Sequence, residues 1–197
     1  KGLASHGATI GILTAVYIFS RVSKIRYLEL CDRVIIGISI GAALIRVGNF
    51  FNSEIVGRPA EALSWAVCFT RFDRGAMIPR HPSQIYETLL GFGVLALLLL
   101  VDRLAGKEKR PMGLLFGVFM ASYFALRFLV EYFKAYQALP TSYPVTMGQI
   151  LSIPFCLFGV GVIVWSLKAR RPGHIPLELE GTSASARPAK RKRKKKK

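Results

Sequence analysis

Apolar residues in this chain fall into runs of about 20, and these runs constrain its fold more than any other feature. A helix rises about 1.5 Å per residue, so a run of this length crosses the roughly 30 Å hydrocarbon core of a membrane. The runs are too long for strands, and they lack the alternation of apolar and polar residues that strands show. Five spans are predicted, at 4–21, 34–51, 84–101, 112–131 and 147–167. The expected fold is an all-α, polytopic transmembrane helical bundle with an irregular segment between the second and third spans.

Positive charge in the short connecting segments predicts the orientation of the chain in the membrane. Lys and Arg residues cluster in 22–33, in 102–111 and in the C-terminal segment 168–197. Five spans place all three clusters on one side, and an excess of Lys and Arg in short loops is typical of the cytoplasmic side. The segments 52–83 and 132–146 are therefore expected to face outward.

The C-terminal segment 168–197 carries much of the net charge of +17, with 12 of the 28 Lys and Arg residues. Such a polybasic segment either binds nucleic acid or anchors the chain at anionic lipids on the cytoplasmic face. The second interpretation is favoured, so no nucleic-acid partner is expected. The predicted organisation is a membrane domain over 1–167 followed by a disordered cytoplasmic tail over 168–197.

Polar residues converge on the outward ends of the predicted spans. Charged side chains inside a membrane are costly, so those that occur there often mark functional sites. The polar residues are His6, Arg46, Asn49, Glu87, Arg127, Glu131 and the turn 146–149. Arg46 and Arg127 lie at similar depth, and guanidinium groups bind phosphate well. This predicts a site for an anionic phospholipid head group in the outer leaflet. Alternatively, Arg127 and Glu131 pair with each other, since they are four residues apart on one helix.

Five segments carry a resemblance to a known family. Residues 46–58 read Arg-Val-Gly-Asn-Phe-Phe-Asn-Ser-Glu-Ile-Val-Gly-Arg. This closely resembles the signature G-R-x-G-N-F-x-N-x-E-x-x-G of the prolipoprotein diacylglyceryl transferases, with Ile45 in place of the first Gly. Four other segments agree with family motifs in order and spacing: Ser5-His6-Gly7, Arg80-His81-Pro82-Ser83-Gln84-Ile85-Tyr86-Glu87, Tyr123 to Glu131, and Thr146-Met147-Gly148-Gln149.

The resemblance covers residues 1 to about 167, and it has departures besides Ile45. Ala8 replaces the second Gly of the family's His-Gly-Gly segment. The family has about seven spans, so two further spans and a functional Tyr are expected to precede Lys1.

The resemblance implies an enzyme of the bacterial cytoplasmic (inner) membrane with its active site on the extracytoplasmic side. Such enzymes transfer the diacylglyceryl group of phosphatidylglycerol to the lipobox cysteine of a prolipoprotein signal peptide, which forms a thioether and releases glycerol phosphate. His6 is the implied base for the thiol, unless the arginines alone favour the thiolate. Arg46 and Arg127 are implied to stabilise the leaving phosphate. Neither metal nor cofactor is expected, and none of the chain's own cysteines should be required: Cys31, Cys68 and Cys156.

The family motifs also imply residues that bind the substrate. These are Arg46, Asn49, Asn52, Glu54, Gly57, Tyr123, Arg127 and Glu131. Less direct roles, including shaping the outer loop, are implied for Arg80, His81, Glu87, Gly148 and Gln149.

Three alternative functions fit these residues less well than transfer does. A lipid transporter needs polar groups through the depth of the membrane, and a phospholipid hydrolase needs a positioned nucleophile or a metal. A non-enzymatic membrane scaffold leaves the two arginines and the histidine at one level unexplained. The alternative function that stays open is phospholipid binding or lipid transport without catalysis.

Overall fold

The computed structural model describes residues 5–135 and 145–171, with side chains from residue 11 onward. The chain divides into two units, and residues up to Arg26 lie outside the unit formed by Tyr27–Gly173. The larger unit contains α2 (Tyr27–Phe51), α3 (Ser83–Leu104), α4 (Leu114–Val130) and α5 (Met147–Ala169). The predicted tail lies outside the described residues beyond position 171.

Four helical segments are long and apolar enough to cross a membrane: Tyr27–Phe51, Ser83–Leu104, Leu114–Phe133 and Met147–Ala169. The third consists of α4 and the 3₁₀ turn that continues it, Glu131–Phe133. This confirms the predicted polytopic helical membrane protein.

The first predicted span corresponds to α1 (Ser5–Ser23), in the smaller unit. Its described side chains are apolar over Gly11–Ser23, which is shorter than the four full-length candidates. The helix ends close to Ser20, whose hydroxyl donates to the carbonyl of Ile25 at 2.7 Å.

Helix α2 begins at Tyr27, seven residues before the predicted start of the second span at residue 34. The predicted span excludes the charged residues before position 34, but within the fold these charges are neutralised. Glu29 pairs with Arg33 one turn later at 2.9 Å, and both Glu29 and Asp32 are buried. The helix therefore continues beyond the apolar run.

A buried apolar cluster joins α2, α3 and α4. It contains Ile35, Val94, Leu98, Leu115 and Phe119. Helix α5 packs closely against α4, since a Cβ added at Gly159 would lie 2.4 Å from the backbone nitrogen of Ala121. Small residues at such contacts allow membrane helices to approach each other, as they do in other helical bundles.

Asp32 links α2 to the beginning of α4, the helix that carries Arg127 near its other end. Its carboxylate accepts hydrogen bonds from the backbone N–H groups of Gly113 at 2.7 Å and Phe116 at 2.8 Å. Asp32 thus caps α4 from a neighbouring helix, where an anion also complements the helix dipole. Arg110 approaches the same carboxylate at 3.7 Å and pairs with Asp102 at 2.9 Å.

Asp32→Asn is expected to lower the free energy of unfolding by about 3 kcal/mol, because one amide oxygen cannot replace two carboxylate acceptors and the charge that faces Arg110 is lost. Unfolding of the purified protein in detergent measures this change. Glu61→Gln makes the same chemical change at an exposed position and should leave stability unchanged. Equal stability of Asp32→Asn and the unsubstituted protein would contradict the capping role.

Between α2 and α3 the chain forms the expected irregular segment, which contains one small antiparallel sheet. Strand β1 (Val67–Cys68) pairs with β2 (Pro79–Arg80), and Pro59 forms a further bridge with Arg80. Gly57 forms a bridge with Lys134, just after α4. These contacts gather the end of α2, the start of α3 and the end of α4 at one end of the larger unit.

Candidate active site

Arg46, in the last turns of α2, is held by partners from two directions. Its Nε lies 3.2 Å from Oε2 of Glu87 on α3. With the Asn49 amide oriented to satisfy both neighbours, its oxygen accepts from Nη1 of Arg46 at 3.2 Å and its nitrogen donates to Oε2 of Glu54 at 3.1 Å. Within the described part of the chain, neither Nε nor Nη2 of Arg46 makes a hydrogen bond, because the contact with Oε2 of Glu87 is an ion pair and that oxygen has no hydrogen-bond partner. The protein therefore holds the guanidinium through one hydrogen bond and one ion pair, and leaves N–H donors for an anionic ligand.

Glu87 is the centre of an ion-pair chain that connects three elements. Its Oε1 lies 2.7 Å from Nζ of Lys134, and Lys134 also approaches Oε2 of Glu131 at 3.4 Å. The side chains of Glu87 and Lys134 are each only 6% exposed. Because charges this buried require compensation, the pairs fix the relative positions of α2, α3 and the end of α4.

The loop that follows α2 is tied to the first turn of α3. Gln84 donates to the carbonyl of Glu54 at 2.6 Å, and Ser83 donates to the carbonyl of Ile55 at 2.9 Å. Ser53 and Ile55 adopt positive φ angles of 56° and 53°, which are uncommon for residues with a side chain. These bonds to α3 hold the loop in its strained conformation.

Gly57 lies where three backbone segments meet. Its N–H donates to the carbonyl of His81 at 3.1 Å, and the N–H of Arg58 donates to the carbonyl of Phe133 at 2.9 Å. A Cβ added at Gly57 would lie 2.3 Å from the first carbonyl oxygen and 2.8 Å from the second. Only glycine fits this close approach of the loop to α3 and to the end of α4.

The first turn of α5 lies against Glu131. A Cβ added at Gly148 would lie 2.5 Å from the Glu131 carboxylate, so this helix end approaches the ion-pair chain directly. Thr146 and Gln149 form a capping box, with the backbone N–H of Thr146 donating to Gln149 Oε1 at 2.9 Å. Nε2 of Gln149 is buried and has no hydrogen-bond partner among the described residues.

Arg127 differs from the other charged residues of this region, since its side chain makes no hydrogen bond or ion pair within the described residues. The possible pair with Glu131 is not formed there, and Glu131 approaches Lys134 instead. Tyr123, one turn earlier, stacks on Phe119 with ring centroids 5.1 Å apart. Half-buried Arg127 is therefore a cation whose charge is available to a ligand.

The remaining motif residues shape the segment between α2 and α3. Arg80 binds both oxygens of Asp73, at 2.6 Å and 2.9 Å, and this hydrogen bonding holds the pKa of the Asp73 carboxyl below its usual value. Nδ1 of His81 lies 3.2 Å from the hydroxyl of Tyr86, which also accepts a hydrogen bond from Trp65 at 3.0 Å. These contacts order the segment between α2 and α3.

The structure connects many of the residues that the sequence singled out. One chain of contacts runs through Glu54, Asn49, Arg46, Glu87, Lys134 and Glu131, with Gly148 against its last member. Asn52 is exposed and makes no side-chain hydrogen bond in the described ranges. The backbone of His6 lies in the first turn of α1, and its side chain is outside the described residues.

Sequence analysis missed Lys134 and assigned Glu87 only a less direct role. The available signal was that Lys134 is the first cation after an apolar span ending in Glu131. In the described residues, no group of three or more His, Cys, Asp and Glu side chains is arranged to hold a metal ion.

Known proteins resemble this chain over most of its length. The family model described as prolipoprotein diacylglyceryl transferase matches residues 1–165. The chain is 44% identical over 173 residues to the phosphatidylglycerol–prolipoprotein diacylglyceryl transferase of Chloroherpeton thalassium, covering 85% of this chain and 61% of that protein. It is 41% identical over 171 residues to the protein of the same name from Tolumonas auensis, covering 86% and 64%. The chain thus spans about three-fifths of the length of the curated relatives it matches.

Proposed function

The chain belongs to the prolipoprotein diacylglyceryl transferase family, and from this premise we propose that it carries the catalytic centre of a phosphatidylglycerol–prolipoprotein diacylglyceryl transferase. The substrates are phosphatidylglycerol and a prolipoprotein signal peptide with a lipobox cysteine. The reaction is the first step of bacterial lipoprotein maturation.

The observation that carries the proposal is the contrast between Arg127 and the paired charges around it. Arg46, Glu87, Lys134 and Glu131 compensate one another through a chain of ion pairs. Arg127 makes no such contact within the described residues, although it is half-buried. An unpaired guanidinium at this depth supports binding of an anion such as the phosphate of a phospholipid.

The proposed chemistry is a displacement at the glyceryl carbon that bears the phosphate. The lipobox thiolate forms the new C–S bond as the C–O bond to phosphate breaks, and glycerol phosphate leaves with the electron pair. Arg127 and the free Nη2 of Arg46 stabilise the negative charge that develops on the leaving group. His6 is proposed to take the thiol proton, because neutral histidine is the base best matched to a thiol near neutral pH.

The proposed setting follows from the loop charges. The site faces the extracytoplasmic side of the bacterial inner membrane, where phosphatidylglycerol enters laterally from the outer leaflet. Residues 1–167 form the membrane catalytic domain, and 168–197 form a cytoplasmic tail attracted to anionic lipid.

The decisive experiment uses the protein expressed from its complete reading frame and reconstituted with acyl-labelled phosphatidylglycerol. A lipobox peptide should gain the mass of the diacylglyceryl group, with one glycerol phosphate released per peptide modified. A peptide with Ser in place of the lipobox Cys should remain unmodified, because its hydroxyl is a much weaker nucleophile. Binding or movement of phosphatidylglycerol without glycerol phosphate release would instead support a lipid-binding or lipid-transporting protein and contradict the transferase.

His6→Asn, assayed in the same membranes, distinguishes the two proposed sources of thiolate. Loss of transfer supports histidine as the base. Full activity assigns thiolate formation to the field of the arginines alone.

A further inference from the structure

Lys134 is a buried cation, and its charge has no role in the proposed chemistry. It lies directly after the 3₁₀ turn that ends the fourth span and is 4% exposed. Its Nζ lies 2.7 Å from Oε1 of Glu87, close enough for a strong charge-assisted contact. Burying this amine requires a substantial compensating interaction, which Glu87 and Glu131 supply.

The contact of Lys134 with Glu87 determines how Glu87 meets Arg46. Lys134 occupies Oε1 of the carboxylate, while Oε2 lies 3.2 Å from Nε of Arg46. Each carboxylate oxygen therefore faces a different cation. A carboxylate without such a competitor favours a bidentate pair with arginine, using Nε and Nη2 together. Within the described residues neither Nε nor Nη2 makes a hydrogen bond, so the present contact of Arg46 with Glu87 is an ion pair through Nε alone.

We propose that Lys134 is a positioning residue for Arg46, acting through Glu87. By holding Oε1 it restricts Glu87 to Nε and keeps Nη2 available for the phosphate of the substrate. This inference rests on the proposed transferase function, for which Arg46 is a phosphate ligand. It assigns the Lys134 side chain a role distinct from that of its backbone, which accepts a hydrogen bond from Arg58 at 2.8 Å.

Charge balance supports the same assignment. Arg46, Glu87, Lys134 and Glu131 form an alternating series of two cations and two anions. Removing the Lys134 amine leaves two carboxylates that share one cation, so Glu87 turns both oxygens to Arg46. Replacing Glu87 by Gln in the same protein leaves one anion, Glu131, for one cation, Arg46. It also removes the carboxylate that would compete with the substrate phosphate for Nη2.

The kinetic test compares Lys134→Met, Lys134→Arg, Glu87→Gln and the Lys134→Met/Glu87→Gln double variant in the transfer assay. Lys134→Met should lower kcat/KM by about 10- to 100-fold, because small displacements of a positioned group have effects of this size. The loss should lie mainly in kcat, since the leaving phosphate gains charge in the transition state. Lys134→Arg should restore most of the activity, and the double variant should be more active than Lys134→Met alone. Lys109→Met, an exposed lysine of the turn Lys107–Lys109, is the matched control.

A second readout is independent of activity. Phenylglyoxal modifies free guanidinium groups, and mass spectrometry follows its reaction at Arg46 with exposed Arg74 as the internal reference. Lys134→Met should slow the modification of Arg46 several-fold relative to Arg74, because the bidentate pair protects Nη2. Lys134→Arg should leave the ratio unchanged.

Two results overturn the proposal: an unchanged kcat/KM for folded Lys134→Met, or an unchanged labelling ratio at Arg46. Kinetic effects that simply add in the double variant also overturn it, because coupled residues deviate from additivity. If the unsubstituted enzyme transfers nothing, the proposed function fails. The labelling ratio then still decides whether Lys134 controls the pairing of Arg46.

Discussion

Arg127→Lys is expected to lower kcat/KM for diacylglyceryl transfer by about 10²- to 10³-fold, the usual effect of removing a fixed donor to a developing anion. Lysine retains the charge but loses the planar fork of donors that can bind two phosphate oxygens at once. Arg127 makes no hydrogen bond or ion pair in the described parts of the chain, so the substitution removes no known structural contact. The loss should therefore appear without a change in unfolding temperature. Steady-state kinetics on reconstituted enzyme and thermal unfolding of the same preparation measure both quantities.

The matched control for this prediction is Arg71→Lys, which makes the same change at an exposed position of the segment between α2 and α3. It should retain full activity. Equal activities of Arg127→Lys and the unsubstituted enzyme would contradict a direct role of Arg127 at the leaving phosphate. A drop in stability together with activity would indicate that Arg127 holds the fold instead.

The spans could be predicted from the sequence because hydropathy reports directly on the cost of exposing polar groups to lipid. Their ends could not, since that cost disappears when charges pair inside the protein. Glu29, Asp32 and Arg33 looked like loop residues but continue α2, because Arg33, Arg110 and the start of α4 compensate the acids. Hydropathy scores each residue alone and cannot include a partner on another helix.

The same limit explains what was missed in the candidate site. Arg46 had no acid one turn away in its own span, so its partner could not be identified from local spacing. That partner is Glu87, 41 positions later in the chain and on another helix. Lys134 looked like an ordinary loop cation because its burial arises only when the loop after α2 meets the end of α4. The family motifs indicated which residues lie in one site, and the fold shows which of their charged side chains pair with each other.

Gly57→Ala is expected to abolish transfer, with a loss of about 100-fold or more, although the residue carries no reactive group. The added methyl group would lie 2.3 Å from the carbonyl oxygen of His81 and 2.8 Å from that of Phe133. Both neighbours are backbone atoms, so neither can rotate away as a side chain would. The loop must therefore separate from α3 or from the end of α4, and the hydrogen bond from Gly57 to His81 lengthens.

This separation disrupts the site because the loop begins where α2 ends, five residues after Arg46. Moving it shifts Arg46 relative to Glu87 on α3, and the proposed phosphate ligands lose their geometry. Overpacking of this kind also costs about 1–3 kcal/mol, so the unfolding temperature should fall as well. Gly41→Ala is the matched control and lies on α2, the helix that carries Arg46. A Cβ there meets nothing within 4 Å, so this variant should keep its activity. Transfer rates within threefold of the unsubstituted enzyme for Gly57→Ala would mean that the close approach of the three backbone segments does not position Arg46, the proposed phosphate ligand.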